Sequence, residues 1–267
     1  MGSEMCIRDS SCINRPKRAD WTNNITMAKQ RSKILVLCAA AFLVGCAQIP
    51  PEAGENPDDP WEKLNRNTAA FNDTVDEYVM EPVARGYRSA VPNPVREGIS
   101  NVFSNLGEPK NFLNNALQGN LDGAAASLYR LIVNTVFGLG GIFDVAGTVA
   151  GVAPREQGFG TTLGVWGVPS GPYLVLPFFG PSSVRDAPSL AVDLAAHPVT
   201  YVNHAWIRWG ASGLRTVDVR TGLLPLTDTV KASVDPYVMT REAYLGNRRR
   251  AVGAGDENES FAVDEFE

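Results

Sequence analysis

Polar and apolar residues recur with a helical period along most of this chain, with few runs of the two-residue alternation that marks strands. The stretch DPWEKLNRNTAAFNDTVDEYVM (59–80) opens with Asp59 placed as an N-cap, Pro60 at the first helical position and Glu62 at the third, a start that resembles a capping box. Pro82 is expected to end or bend that helix. Further helices are predicted from Pro94, capped by Asn93, to Leu106, and from Pro109 to Leu117. The class read from this pattern is mainly α.

From Ala124 to Phe137 (AAASLYRLIVNTVF) the polar residues Ser127, Arg130 and Asn134 form one narrow stripe on an otherwise apolar helix. Such a helix is buried nearly all round or faces lipid. It runs on into GLGGIFDVAG (138–147), so Leu131 to Val152 has only Asn134, Thr135, Asp144 and Thr148 as polar members. A single span is disfavoured, because each interior glycine costs roughly 1 kcal/mol and an aspartate at the bilayer centre roughly 2.5 to 3.5 kcal/mol. A membrane hairpin broken at Gly138, Gly140 and Gly141, with Phe143 beyond the break, needs arms of about ten residues to cross one leaflet. A buried hairpin in the core of a soluble protein is the alternative.

GPYLVLPFFGPSSVRD (171–186) is too broken by prolines for a core helix and too apolar for an ordinary loop. Aromatic residues on either side support a place at the headgroup level of a membrane. The candidate interfacial residues are Trp166, Tyr173, Phe178, Phe179, Trp206 and Trp209.

The N-terminal region supplies an address. In MAKQRSKILVLCAAAFLVGC (27–46), Lys29, Arg31 and Lys33 precede an apolar run, Ile34 to Val44, that is shorter than the about 20 residues a bilayer span takes. Leu43-Val44-Gly45-Cys46 then fits the bacterial lipobox, in which the cysteine thiol receives diacylglycerol. Residues 1–26 read as a non-native or mis-started leader, 27–45 as a signal peptide and 46–58 as a Pro/Gly/acid linker. The main domain is expected at 59–245 and an acidic, disordered tail at 246–267. Ala47 stands where an aspartate would mark inner-membrane retention, which favours the outer membrane.

Of four cysteines only Cys46 survives processing at that site, leaving no disulfide, thiolate metal site or cysteine nucleophile. From Cys46 onward the net charge is −9, and six acids sit in Asp256 to Glu267 with no base among them. Scattered basic residues in an acidic domain exclude a nucleic-acid footprint. The chain has no G-x-S-x-G elbow, P-loop or H-E-x-x-H, and GLGGIF lacks the third glycine of a dinucleotide loop. His197 and His204 are separated by Pro198, and Arg185–Asp186 and Arg241–Glu242 read as structural ion pairs. No catalytic residue, metal or cofactor is expected.

Five stretches, DPWEKLNRNTAAFN (59–72), NLGEPKNFLNNALQGN (105–120), RLIVNTVFGLGGIFDVAG (130–147), FGTTLGVWGVPSGPYLVLPFFGPSSVRD (159–186) and DPYVMTREAY (235–244), resemble in order the MlaA/VacJ family of outer-membrane lipoproteins. The resemblance covers nearly all of the chain from Cys46 to Tyr244. It implies a ring of amphipathic helices lying in the inner leaflet of the outer membrane around a central amphipathic channel, often beside a trimeric porin. It also implies retrograde transport of misplaced phospholipid to a soluble periplasmic carrier. Ala69 and Ala70 replace aromatic residues of the enteric first motif. Arg66, Arg130 and Asn134 are the candidates to line a polar path for the headgroup; a structural lipoprotein without transport, or a lipid esterase, are the competing readings.

Overall fold

The computed structural model describes residues 49–253. The helices are α1 (Glu62–Val75), α2 (Glu81–Ala90), α3 (Asn93–Leu117), α4 (Leu121–Val136), α5 (Val145–Thr148), α6 (Phe159–Val165), α7 (Asp186–Ala196), α8 (Ala205–Lys231) and α9 (Pro236–Gly253), with one hairpin of β1 (Tyr173–Leu176) and β2 (Gly180–Ser183). The mainly α reading holds.

Several local expectations are corrected. Asp59 does not cap α1, whose N-cap position is Trp61 without a side-chain bond. Its carboxylate is instead fully buried, accepting hydrogen bonds from Asn65 Nδ2 (2.8 Å), the Tyr237 hydroxyl (2.6 Å) and Arg241 Nη1 (3.1 Å). A capping carboxylate satisfies one or two backbone N–H groups; here two donors from α9 compete for it and win.

Of the two outcomes expected at Pro82, the helical run does not end there but is distorted just before it. A proline has no N–H to give residue 78, and its ring would crowd that carbonyl in an α turn. The chain widens into a π turn over Asp76–Met80 before α2 begins. Arg220 of α8 holds this turn through paired bonds of 2.6 and 2.7 Å to the Asp76 carboxylate.

The two helices expected around Pro109 are one continuous helix, α3, with Pro109 inside it. Continuation sacrifices one intrahelical hydrogen bond. The helix keeps in return a buried stripe of Asn105, Glu108, Asn111, Asn114 and Asn115 against its neighbours. It ends in a Schellman motif: Asn120 N–H donates to the Asn115 carbonyl and Gly119 N–H to that of Ala116, with Gly119 left-handed at φ +75°. Asn120 then caps α4 by accepting from Gly123 N–H at 2.9 Å, so the reversal between α3 and α4 is tight and the two helices pack along their lengths.

The segment 49–58, expected as a linker, docks on the domain in a series of turns. Ala53 is buried, Gly54 N–H donates to Glu62, and the Asp58 carbonyl accepts from Tyr173 N–H at 2.7 Å. At the other end α9 runs through Gly253, beyond the boundary at 245 expected for the domain.

The 171–186 stretch contains the hairpin that the sequence pattern did not reveal. Tyr173 pairs with Ser183 and Leu176 with Gly180, with Phe178 left-handed (φ +66°) in the turn. The free edge of β1 is closed by two side chains of α1, seven residues apart. Asn65 donates to the Tyr173 carbonyl (3.0 Å) and accepts from Val175 N–H (2.9 Å). Asn72 repeats the pattern with the Leu176 carbonyl (2.9 Å) and Phe178 N–H (2.8 Å). Each amide thus does for the edge what a third strand would do.

Candidate functional site

The partition of polarity is inverted relative to an ordinary globular protein. Among the described residues, twenty-three polar or charged side chains are buried against eight apolar ones, while large apolar side chains cover much of the exterior. Buried ionic groups demand partners, and here they are satisfied in three clusters.

The first joins α1 to α9. Arg66 pairs with Glu62 at 2.8 Å and Asp235 at 2.7 Å, lies 4.4 Å from the centre of the Tyr237 ring, and neighbours the Asp59–Arg241 pair. Burial, together with the hydrogen bond to Asp59, pushes the Tyr237 phenol far above its ordinary pKa, so it stays a donor. Burial raises Asp235, but hydrogen bonds from Arg66 and the Val238 N–H, with the Arg66 charge, more than reverse it and hold this carboxyl below the usual range.

The second closes the α3–α4–α5 region. Arg130, 2% exposed, pairs with the wholly buried Glu108 at 2.7 Å, with Asp144 at 3.1 Å, and donates to the Val152 carbonyl at 2.7 Å. Asn134 donates to Asp144 and accepts from Ala146 N–H, both at 2.9 Å. Asp144 caps α5 by accepting from Gly147 N–H. The polar stripe of α4 therefore faces this network, while Leu128, Tyr129, Ile132 and Val136 of the same helix face outward.

The third ties α7 to α9: Arg185 pairs with Asp186 at 2.9 Å, and Asp186 accepts from the Tyr244 hydroxyl (2.6 Å) and pairs with Arg248 (3.2 Å). The Tyr244 phenol is pushed up to about 12 by burial and by its bond to Asp186.

Arg66, Arg130 and Asn134 all lie in these closed networks. All three are buried. Gly138, Gly140 and Gly141 form the expected break, carried by a left-handed run from Leu139 (φ 51°) to Gly141 (φ 97°). The second arm, however, is only the four residues of α5, which begins at its cap Asp144. Phe143 is exposed beside the break.

Of the interfacial candidates, Trp166, Phe178, Phe179, Trp206 and Trp209 are exposed, with Trp206 at 75% and Phe178 at 67%. Trp166 anchors its indole N–H to the Leu117 carbonyl at 2.9 Å, and Phe178 meets Phe71 edge to face at 5.2 Å. Tyr173 is corrected: it is 1% exposed and packs with Val175, Leu245 and Ala69, its ring edge to face with Tyr237 and tilted against Tyr244. Alternation along β1 turns it inward, and the small Ala69 leaves room for it. His197 is buried and caps the 3₁₀ turn Pro198–Tyr201, whereas His204 is exposed at the start of α8. Cys46, the leader, the signal peptide and the tail from 254 onward lie outside the described residues.

Asn65, Asn72 and Glu108 carry much of the arrangement without standing out in the sequence. The seven-residue spacing of Asn65 and Asn72 on one helical face was the available signal.

A family model described as "MlaA lipoprotein" matches residues 57–251. The intermembrane phospholipid transport system lipoprotein MlaA of Shigella flexneri is 38% identical over 224 residues, 81% of this chain and 86% of that protein. The protein of the same name from Haemophilus influenzae is 34% identical over 234 residues, covering 85% and 92%. A solved structure from work on the "structural basis for maintenance of bacterial outer membrane lipid asymmetry" superposes with a TM-score of 0.65 at 37% identity, covering 73% of this chain and 98% of that one.

Proposed function

This chain belongs to the MlaA lipoprotein family, and on that premise we propose that it is an outer-membrane lipoprotein that transports phospholipid between membranes and so maintains outer-membrane lipid asymmetry. The observation that carries the reading is the inverted partition: ion pairs and amides inside, aliphatic and aromatic side chains outside. A lipid-embedded carrier of phospholipid needs both, an apolar exterior for acyl chains and polar groups where a charged headgroup passes.

In this reading Cys46 holds the chain to the membrane by its acyl groups, and the helices lie in the periplasmic leaflet as a ring around an amphipathic channel. None of the helices among the described residues is long and apolar enough to cross a membrane. The break at Gly138–Gly141 and the hairpin tip at Phe178–Phe179 enter the leaflet from the rim. Phospholipid misplaced in the outer leaflet passes inward to a soluble periplasmic carrier, beside a trimeric porin. The three ionic clusters keep the helices in place around this path. No bond is made or broken, so no catalytic residue is required, and energy comes from the partners.

The test is deletion of the gene, with outer-leaflet phospholipid measured by an added phospholipase and complementation by the full chain. Raised phospholipid exposure that the full chain reverses is the expected result. Unchanged asymmetry on deletion would favour a purely structural lipoprotein.

A further inference from the structure

We propose that the cavity between the C-terminal end of α6, the 167–171 loop and the last turns of α9 binds a phosphate group, whether on a phospholipid headgroup or free. The site stands on its own geometry; only the preference for the lipid source rests on the transport reading. The cavity measures about 460 Å³ and is lined by Arg185, Arg248, Arg249 and Ser170, with Val168 and Val252 among its apolar surfaces.

Three guanidiniums meet there against two carboxylates, Asp58 on the lining and Asp186 behind it. Arg185 and Arg248 each commit Nε to Asp186, at 2.9 and 3.2 Å, and Arg185 also donates from Nη1 to the Val168 carbonyl at 3.3 Å, which fixes their planes and leaves the remaining N–H donors of each fork for a ligand. Arg248 is further steadied over the Tyr244 ring at 5.5 Å. Arg249 is exposed and has no hydrogen bond or ion pair among the described residues. The Ser170 hydroxyl is buried without a hydrogen-bond partner, an unfavourable state that a ligand oxygen would relieve.

Arrayed, pre-oriented guanidinium donors with a hydroxyl match the several acceptor oxygens of a phosphate. The absence of a side chain at Gly164 makes the arrangement possible, since a Cβ there would lie 2.6 Å from Arg185 Nη1 and 2.5 Å from Val252 Cγ2. Apolar groups on the same wall favour a phosphate that carries a glycerol and the start of its chains over the bare ion.

The test is calorimetric titration of the purified full chain in a non-ionic detergent with three probes: inorganic phosphate, dihexanoyl phosphatidylglycerol and phosphate-free dihexanoylglycerol. The phosphatidylglycerol should bind saturably, inorganic phosphate more weakly and dihexanoylglycerol not at all. Arg249→Glu should weaken phosphate binding about tenfold, the scale of one hydrogen bond to a charged group, with partial rescue by Arg249→Lys and an unchanged melting profile. Equal affinity for inorganic phosphate would support the phosphate site and assign it to the free ion. No binding of either phosphate probe, dihexanoylglycerol binding as tightly as the lipid phosphate, or undiminished binding in both Arg249→Glu and Ser170→Val would overturn it. Absent binding with intact lipid asymmetry in cells would remove this site and leave the transport reading; the reverse would do the opposite.

Discussion

The Arg130 guanidinium and the Glu108 carboxylate lie 2.7 Å apart with their side chains 2% and 0% exposed, joining α4 to α3 through a fully desolvated ion pair. Asp144 and the Val152 carbonyl take further donors of the same guanidinium, so a single cation holds both sides of the glycine break.

Replacing either partner alone strands a buried charge. Arg130→Met or Glu108→Gln should each destabilise the domain by about 3 to 5 kcal/mol, while the double replacement should recover part of that loss. Thermal unfolding in detergent, followed by circular dichroism, measures the cycle. Single variants as stable as the parent would show that the pair carries no such weight.

Asn134→Leu removes a donor to Asp144 and an acceptor for Ala146 N–H. A loss of about 1 to 3 kcal/mol is expected, lowering protein abundance in proportion to lipid transport. Normal abundance with blocked transport would instead restore Asn134 to the wall of the headgroup path, and immunoblotting beside the phospholipase assay distinguishes the two.

At the break, the glycines differ. A Cβ on Gly138 would sit 2.2 Å from the Phe143 carbonyl oxygen, and on Gly141 2.7 Å from Asn105 Cβ, whereas one on Gly140 meets nothing within 4 Å. Gly138→Ala and Gly141→Ala should therefore reduce protease resistance and outer-membrane recovery more than Gly140→Asn, a substitution that tolerates its left-handed backbone. Equal behaviour of all three would count against a sterically defined turn.

Acid should weaken the α1–α9 and α7–α9 clusters. For Asp186, burial pushes the carboxyl up, but hydrogen bonds from Arg185 and Tyr244 and the charges of Arg248 and Arg185 hold it below its ordinary value; Asp235 is likewise depressed. With folded values below the ordinary 3.8, both contribute stability that is present above that pH and lost as pH falls through the folded values. Near-ultraviolet dichroism should stay native at about pH 5 and fall away below about pH 4. Asp235→Asn should be less stable at neutral pH and show a shallower acid dependence; an unchanged slope would exclude Asp235 from the effect.

The anchor is tested at Cys46. Cys46→Ala should abolish acyl labelling and outer-membrane recovery, because two or three acyl chains provide the stable attachment that one cannot. Labelling and sorting that survive the substitution would refute the lipobox reading.

What the sequence determined by itself was local. The period of α4, its stripe of Ser127, Arg130 and Asn134, and the break at Gly138–Gly141 could be read directly, because helix geometry places residues three and four apart on one face and glycine runs interrupt it. The family could be read too, since five ordered motifs span the domain. Tertiary structure decided which face of α4 turned inward: periodicity separates two faces, but the network of Glu108 and Asp144 sets their orientation. It likewise took Asp59 from its apparent capping role, because Arg241, 182 positions away, offers a stronger partner than a backbone N–H. It also made a hairpin of a proline-broken stretch: four-residue strands have little stability alone, and their edge is completed by Asn65 and Asn72, more than a hundred positions earlier. Such partners are fixed by proximity in space, which local spacing does not encode.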